Sequence, residues 1–322
     1  SINTTTNAAS LNWELGANLN AVVQSSPESR RIWTVIPGVP TPVSTNWSNW
    51  STKYTGNGIR QALNAAWTTS AQDASANLLI QFIQGYDSFD DDSNTATTKR
   101  WPLSEIYHFA PVFVGLPPAK LSDNPINIGV AGYFEANAPG TYASFSLKAQ
   151  SRPQIVLAGS NDGQLHAVLG ASYNGVAAGN ELWSFIPPPM LNKIINLSPT
   201  QVGGVGAAGK SQAIYGIDGG VTVRDVYVNG NWRTYAAFTY GLGARAMTII
   251  DITDTNAPSH VFSIENEYNA SANTWSNKIW DAAGNLTIST DSAYNFRELG
   301  YTTSIPIITF AKNSSGAYAP IV

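Results

Sequence analysis

The 322-residue chain has no cysteine, two methionines and three histidines. Without cysteine there is no disulfide, no thiolate metal site and no cysteine nucleophile. Charge is scarce as well: Asp, Glu, Lys and Arg make up 12 % of the residues, against about 25 % in an average soluble domain. The balance is −4, and no run of Lys or Arg supplies the electrostatic footprint of a nucleic-acid binder. No apolar stretch approaches the roughly 18 residues that would span a bilayer. The opening SINTTTNAAS has neither the basic start nor the apolar core of an export signal, so any such signal is expected outside this chain.

Aromatic residues fill part of the gap, with 10 Trp, 14 Tyr and 11 Phe in a chain that is 43 % hydrophobic. A chain so rich in them buries too much to be disordered. Asn, Thr, Ser and Gly supply the rest. This composition suits many short strands joined by polar turns, on the outside of a cell, and not a helical cytosolic enzyme.

Residues 1–55 read as irregular, with Pro37, Pro40 and Pro42 interrupting the apolar stretch IWTVIPGVPTPV. Spacings of three and four then predict two short helices, at about 57–67 and 72–84, the second capped by Asp73 or Ser75 and ended by Gly85. An acidic loop, DSFDDDSNTATTKR, follows. Beyond it HFAPVFVG, YASFSL, PQIVLAGS, QLHAVLG, ELWSFIP, VTVRDVYV, RTYAAFTY, AMTIIDIT and HVFSIE all read as strands. Turns at Asn161-Asp162-Gly163, Asn229-Gly230-Asn231 and Gly241–Gly243 favour antiparallel hairpins. In VTVRDVYV the alternation slips near Asp225, as a bulge would make it do. The expectation is a mainly β fold in two parts: an irregular lead-in with two short helices over 1–100, then strands over 101–322. A propeller and a sandwich both accept that pattern.

GVGAAGKS at 204–211 matches a phosphate-binding loop, with Lys210 for phosphate, Ser211 for magnesium and Asp251 downstream. Its flanks, NLSPTQVG and QAIYGIDGGVTV, provide neither the preceding strand nor the following helix that the chemistry needs. Gly204, Gly206 and Gly209 fail as a dinucleotide fingerprint for the same reason. Asp87, Asp90, Asp91, Asp92 and Asn94 put enough oxygen into one loop to be a calcium candidate, without the residue order of a helix-loop-helix site. His108, His166 and His260 lack partners at ligand spacing and read as packed strand residues. Ser160 and Ser211 stand in no nucleophile elbow. The pairs Trp47/Trp50 and Trp275/Trp280 could stack on carbohydrate or simply pack.

Two ordered sets of residues resemble the PilC/PilY family of type IV pilus proteins. The first is Gly159, Asn161, Asp162, Gly163, Leu165, His166 and Ala167, followed by Trp183, Phe185, Ile186 and Pro187. The second is Asp218, Gly219, Val223, Asp225, Val226, Trp232, Arg233, Thr234, Gly241, Leu242, Gly243, Asp251, Thr253 and Asp254. With the flanking stretches the resemblance covers about 78–322. It departs at Val168-Leu169, where the family has an aromatic residue and Asp, and at Ala244, Arg245 and Ala246 in place of glycines.

The resemblance implies the first blades of a β-propeller, open or incomplete, continuing beyond Val322. It also implies an extracellular, non-catalytic adhesion and assembly factor at the pilus tip. Such a factor meets minor pilins on one side and a host or environmental surface receptor on the other, with no nucleic acid and no membrane span. Its usual calcium loop would lie beyond this chain. A carbohydrate-binding β-protein and a quinoprotein-like dehydrogenase are the alternatives.

Overall fold

A computed structural model describes residues 2–3, 8–9, 13–36, 43–45, 58–90, 93–118, 121, 140–198, 213–269, 273–289, 298–312, 314 and 318–321. β1 (Ile2–Asn3) and β2 (Ala8–Ala9) form a minimal ladder. Then come α1 (Leu15–Ser25), β3 (Ile32–Thr34), β4 (Val43–Thr45), α2 (Ile59–Leu63), α3 (Asp73–Gln84), β5 (Val112–Val114) and α4 (Tyr142–Lys148). The blade strands β6 (Ile155–Gly159), β7 (Leu165–Leu169) and β8 (Glu181–Phe185) lead into α5 (Pro188–Leu191). After it run β9 (Val221–Val228), β10 (Asn231–Thr239), β11 (Ala246–Asp251), β12 (Ser259–Asn269), β13 (Thr274–Trp280) and β14 (Leu286–Ser289). A hairpin of β15 (Thr309–Lys312) and β16 (Tyr318–Ile321) follows.

The fold is mainly β, with two open six-stranded sheets that do not close on themselves. The first has the order β4-β3-β8-β7-β6-β5, and the second is the meander β14-β13-β12-β11-β10-β9. Alternation dictates how they face each other. Ile155, Leu157, Leu165, Ala167, Trp183 and Phe185 join Val221, Ala236, Phe238, Tyr240, Ala246 and Ile250 in one continuous apolar cluster. The opposite face of the first sheet takes helix α1, whose Leu15 and Leu19 meet Val168. The opposite face of the second takes the β15 hairpin, where Ile308 and Phe310 pack on Val226, Ala237 and Ile249. The approach to that hairpin is held through its main chain. Carbonyls of Ser304, Pro306 and Ile308 accept from Thr239, Thr222 and Arg224 at 3.0, 2.5 and 2.8 Å. Between them Ile305 and Ile307 stay 62 % and 72 % exposed.

The lead-in is less irregular than expected. Leu15, Leu19 and Val23 recur every four residues, so helix α1 buries a stripe, and Glu14 caps it by accepting the amides of Gly16 and Ala17 at 2.8 and 2.6 Å. Strand β3 pairs in parallel with β8, so the lead-in completes the first blade sheet. The first expected helix shrinks to Ile59–Leu63, while the second, Asp73–Gln84, ends at Gly85 with φ +118°. Neither Asp73 nor Ser75 caps it: Thr69 and Gln72 form a capping box on the preceding 3-10 turn, and Asp73 pairs with Arg60. YASFSL is helix α4 and no strand, because Thr141 caps it and Tyr142 and Ser146 share its buried face. HFAPVFVG contributes only Val112–Val114. The register of β9 and β10 runs unbroken through Asp225, so there is no bulge there. Asp225 points inward because Tyr142 Oη and Thr234 Oγ1 both donate to it at 2.7 Å.

Three loops meet where the two sheets approach. A Cβ on Gly243 would lie 2.0 Å from the Gly216 carbonyl, and one on Gly216 would lie 2.5 Å from the Ser160 carbonyl. Gly243→Ala should therefore destabilise the chain towards the upper end of roughly 1–3 kcal/mol. An unchanged urea midpoint would show that these backbones do not stack.

Candidate functional site

Behind the first sheet lies a charge network that water does not reach. Arg30 donates to both Glu181 oxygens, through Nε at 2.9 Å and Nη2 at 3.0 Å. Its Nη1 reaches the Ile83 carbonyl at 2.9 Å, at the C-terminal end of α3 where carbonyls lack helical partners. The second Glu181 contact is His166 Nδ1 at 2.7 Å. Across the ring, Nε2 lies 2.9 Å from Ser160 Oγ, which in turn donates to Asp162. Gln164 closes the circuit, donating to Asp162 Oδ2 at 3.0 Å and accepting from Ser184 Oγ at 2.7 Å. Arg30, Asp162, His166 and Glu181 balance two positive against two negative charges, and the side chains of Arg30 and Glu181 are 1 % and 4 % exposed.

A register shift builds this arrangement. Ala167 pairs with Trp183, but Val168 pairs with Glu181, so one residue of β8 is skipped and Glu181 moves to the face that carries His166. Burial alone would disfavour charge on His166, yet the Asp162 and Glu181 carboxylates outweigh it and raise its pKa to about 9. Asp162 stands 3.8 Å from Nε2, so it acts through its charge and through Ser160. Burial likewise opposes the Glu181 carboxylate, but Arg30 and His166 hold its pKa at about 2. Ser160, His166 and Glu181 thus line up as a hydrolytic triad would, with the imidazole already protonated and unable to serve as a base at neutral pH. His166 was expected to be a packed strand residue; it is packed, and it is also charged.

The other two histidines differ. His260 takes the Asp281 carbonyl and Ser263 Oγ at 2.9 and 2.8 Å, and burial pushes its pKa down to about 4. His108 is more than half exposed, and its Nδ1 lies 2.6 Å from Asp218 Oδ2. That pair borders a cavity of about 480 Å³ between the sheets, lined also by Val112, Val221, Leu242 and Ile305.

The family landmarks fall into three groups. Gly159, Asn161, Asp162, Gly163, His166, Asp218, Gly241 and Gly243 converge on the network and the sheet junction. Asn161 accepts the Gly216 amide at 3.2 Å, and Gly241 sits on the Asp218 carbonyl with φ +54°. Asp225 and Trp232 meet around Tyr142, whose ring lies 4.8 Å from Trp232 in an edge-on contact. Arg233 and Asp251 form a surface pair at 3.0 Å.

Asp91, Asp92, the 204–211 motif and Trp47/Trp50 lie outside the described residues. Of the calcium candidates, Asp87 donates its amide to the Thr98 carbonyl, Asp90 has φ +53°, and Asn94 Oδ1 accepts the Ala96 amide. Among the described residues no three His, Asp or Glu side chains are placed to hold a metal. Trp275 and Trp280 part company: Trp280 lines a cleft of about 630 Å³ beside α2, whereas Trp275 is exposed, as is its neighbour Tyr268, and lies against the half-buried Arg245. Arg30 and Glu181 were missed from sequence. Their only trace is a charge just before an apolar strand: Arg30 in the Arg30-Arg31 pair ahead of Ile32, and Glu181 ahead of Leu182.

Stacked sheets built on antiparallel meanders, the first extended by the parallel strand β3, with small-residue turns at their junction define a protein of propeller-blade type. A family model described as the PilY1 β-propeller domain matches residues 121–322, and the chain belongs to that family. It is 26 % identical over 318 residues to the type IV pilus biogenesis factor PilY1 of Pseudomonas aeruginosa strain UCBPP-PA14, covering 96 % of this chain and 22 % of that protein. A PilY1 homologue of Xylella fastidiosa is 27 % identical over 162 residues, covering 49 % of this chain and 11 % of its own. The chain thus spans less than a quarter of either relative. The crystal structure of the P. aeruginosa PilY1 C-terminal domain matches 55 % of this chain and 37 % of its own, at 19 % identity. Its TM-score of 0.29 is too low to compare the folds element by element.

Removing one member of the network leaves its partners charged and buried, so Glu181→Ala should cost about 3–5 kcal/mol in urea unfolding. A loss below about 1 kcal/mol, the scale of exposed pairs, would mean the network is not sealed. The histidines set the pH profile. His166, raised to about 9 from an ordinary 6.5, contributes fully below 6.5, and the contribution is lost as pH climbs through 9. His260, lowered to about 4, contributes above 6.5 and loses that as pH falls towards 4. Melting temperature should peak near pH 6.5; His166→Gln should flatten the alkaline side and His260→Gln the acid side. An alkaline slope that His166→Gln leaves intact would contradict the assignment.

Proposed function

We propose that this chain is part of the propeller of a type IV pilus biogenesis factor, working without catalysis outside the cell at the pilus tip. Loops on its rigid blades contact minor pilins on one side and a surface or receptor on the other, in support of assembly, adhesion and twitching. The observation that carries this reading is the match of residues 121–322 to the PilY1 β-propeller family. The similarity to type IV pilus biogenesis factors of P. aeruginosa and X. fastidiosa supports the pilus role. A sealed, already ionised His166 favours a structural over a hydrolytic use of the Ser160–His166–Glu181 line. Among the described residues no helix is long and apolar enough to cross a membrane.

Immunogold labelling in the host should place antibody against this chain at fibre ends, and in-frame deletion of its coding segment should reduce surface pili several-fold. Normal piliation and twitching in the deletion strain would overturn the reading. For the contacts, immobilised chain should retain purified minor pilins over the major pilin.

A further inference from the structure

Arg245 sits just before β11, and its carbonyl accepts the Asn266 amide of β12 at 2.8 Å. Its guanidinium carbon lies 4.8 Å from the centre of the Trp275 ring and 4.5 Å from that of Tyr301. Tyr268 and Trp275 are direct cross-strand partners on β12 and β13, with ring centres 4.8 Å apart. Tyr268, Trp275 and Tyr301 are 41 %, 41 % and 51 % exposed, so three rings adjoin at the surface, two of them against one cation. Arg30, Arg60 and Arg233 each hold a carboxylate. Arg245, among the described residues, has ring contacts but neither a carboxylate partner nor a side-chain hydrogen bond.

A guanidinium held by ring faces has little orientational freedom left to lose, and its planar set of donors matches a carboxylate bidentately. Exposed aromatic rings offer flat apolar area at low entropic cost to a ligand that is itself a ring. We propose that Arg245, Tyr268, Trp275 and Tyr301 form a binding site for acidic saccharides, with the carboxylate of a hexuronate or sialic acid on Arg245 and its pyranose ring against the aromatic side chains. An acidic peptide would satisfy the cation but would leave the three clustered rings without a role. The site is built from this chain's own residues on β12, β13 and the segments flanking them. It rests on this surface alone and stands or falls independently of the pilus role.

The test is calorimetric titration of the full chain with tri-galacturonate and with 3′-sialyllactose, beside neutral galactotriose and tri-glutamate. At least one acidic sugar should bind at least about tenfold tighter than either control, and more weakly at higher salt. Arg245→Gln and Trp275→Ala should each weaken binding at least about tenfold, with Arg245→Lys in between because it keeps charge without the planar fork. Melting curves check that each variant folds, and Tyr301→Ala replaces Trp275→Ala if that one does not. Failure of both acidic sugars to bind, equal binding of galactotriose or tri-glutamate, or indifference to Arg245→Gln would each overturn the site.

Discussion

Arg30 and His166 share the carboxylate of Glu181 in a space closed to water, and much of the first sheet is arranged around that sharing. Glu181 reaches the helix-covered face only because β8 slips by one residue against β7. Arg30 reaches it from the lead-in, while also satisfying a carbonyl at the end of α3. One guanidinium thereby ties together the lead-in, the helix pair and the blade. Burying four charges is expensive unless each is matched, and here the matching is complete: both ring nitrogens of His166 have acceptors, and Asp162 collects from Ser160 and Gln164.

The junction between the sheets follows a different principle, close approach of backbone to backbone. Gly159, Gly216, Gly241 and Gly243 all lie where a side chain would strike a carbonyl. The hairpin turn that holds Asp162 for the charge network is the same turn that offers the Ser160 carbonyl to Gly216 and Ile217. The order within the first sheet and its contact with the second therefore depend on the same few residues.

Strand identity was legible wherever β-branched and aromatic residues alternated between clear turns, as in β6 to β12. Tyr142–Lys148 was misread because its aromatic and small residues suit a strand and outweighed the local Thr141 cap, while the contact with Trp232 that buries its face depends on a distant partner. Helix α1 went unseen because Asn and Ala dilute a stripe of only Leu15, Leu19 and Val23. The network was half legible: Asp162 and His166 stood out as a motif. Arg30 and Glu181 lie 151 positions apart, and no local pattern announces that they meet. Asp225 shows the converse, a polar residue that broke the alternation and suggested a bulge, when Tyr142 and Thr234 simply allow it to turn inward.

The polar attachment of the stretch leading to the β15 hairpin runs through its carbonyls, at 304, 306 and 308, to side chains of the second sheet. Every residue has a carbonyl, so this attachment is indifferent to what the intervening positions carry. Ile307, which points outward, can be exchanged for other residues without loosening the strap, whereas Ile305 also packs over Gly220 and borders the cavity between the sheets. That leaves an outward ridge on which new contact chemistry can be written while the blade beneath stays as it is.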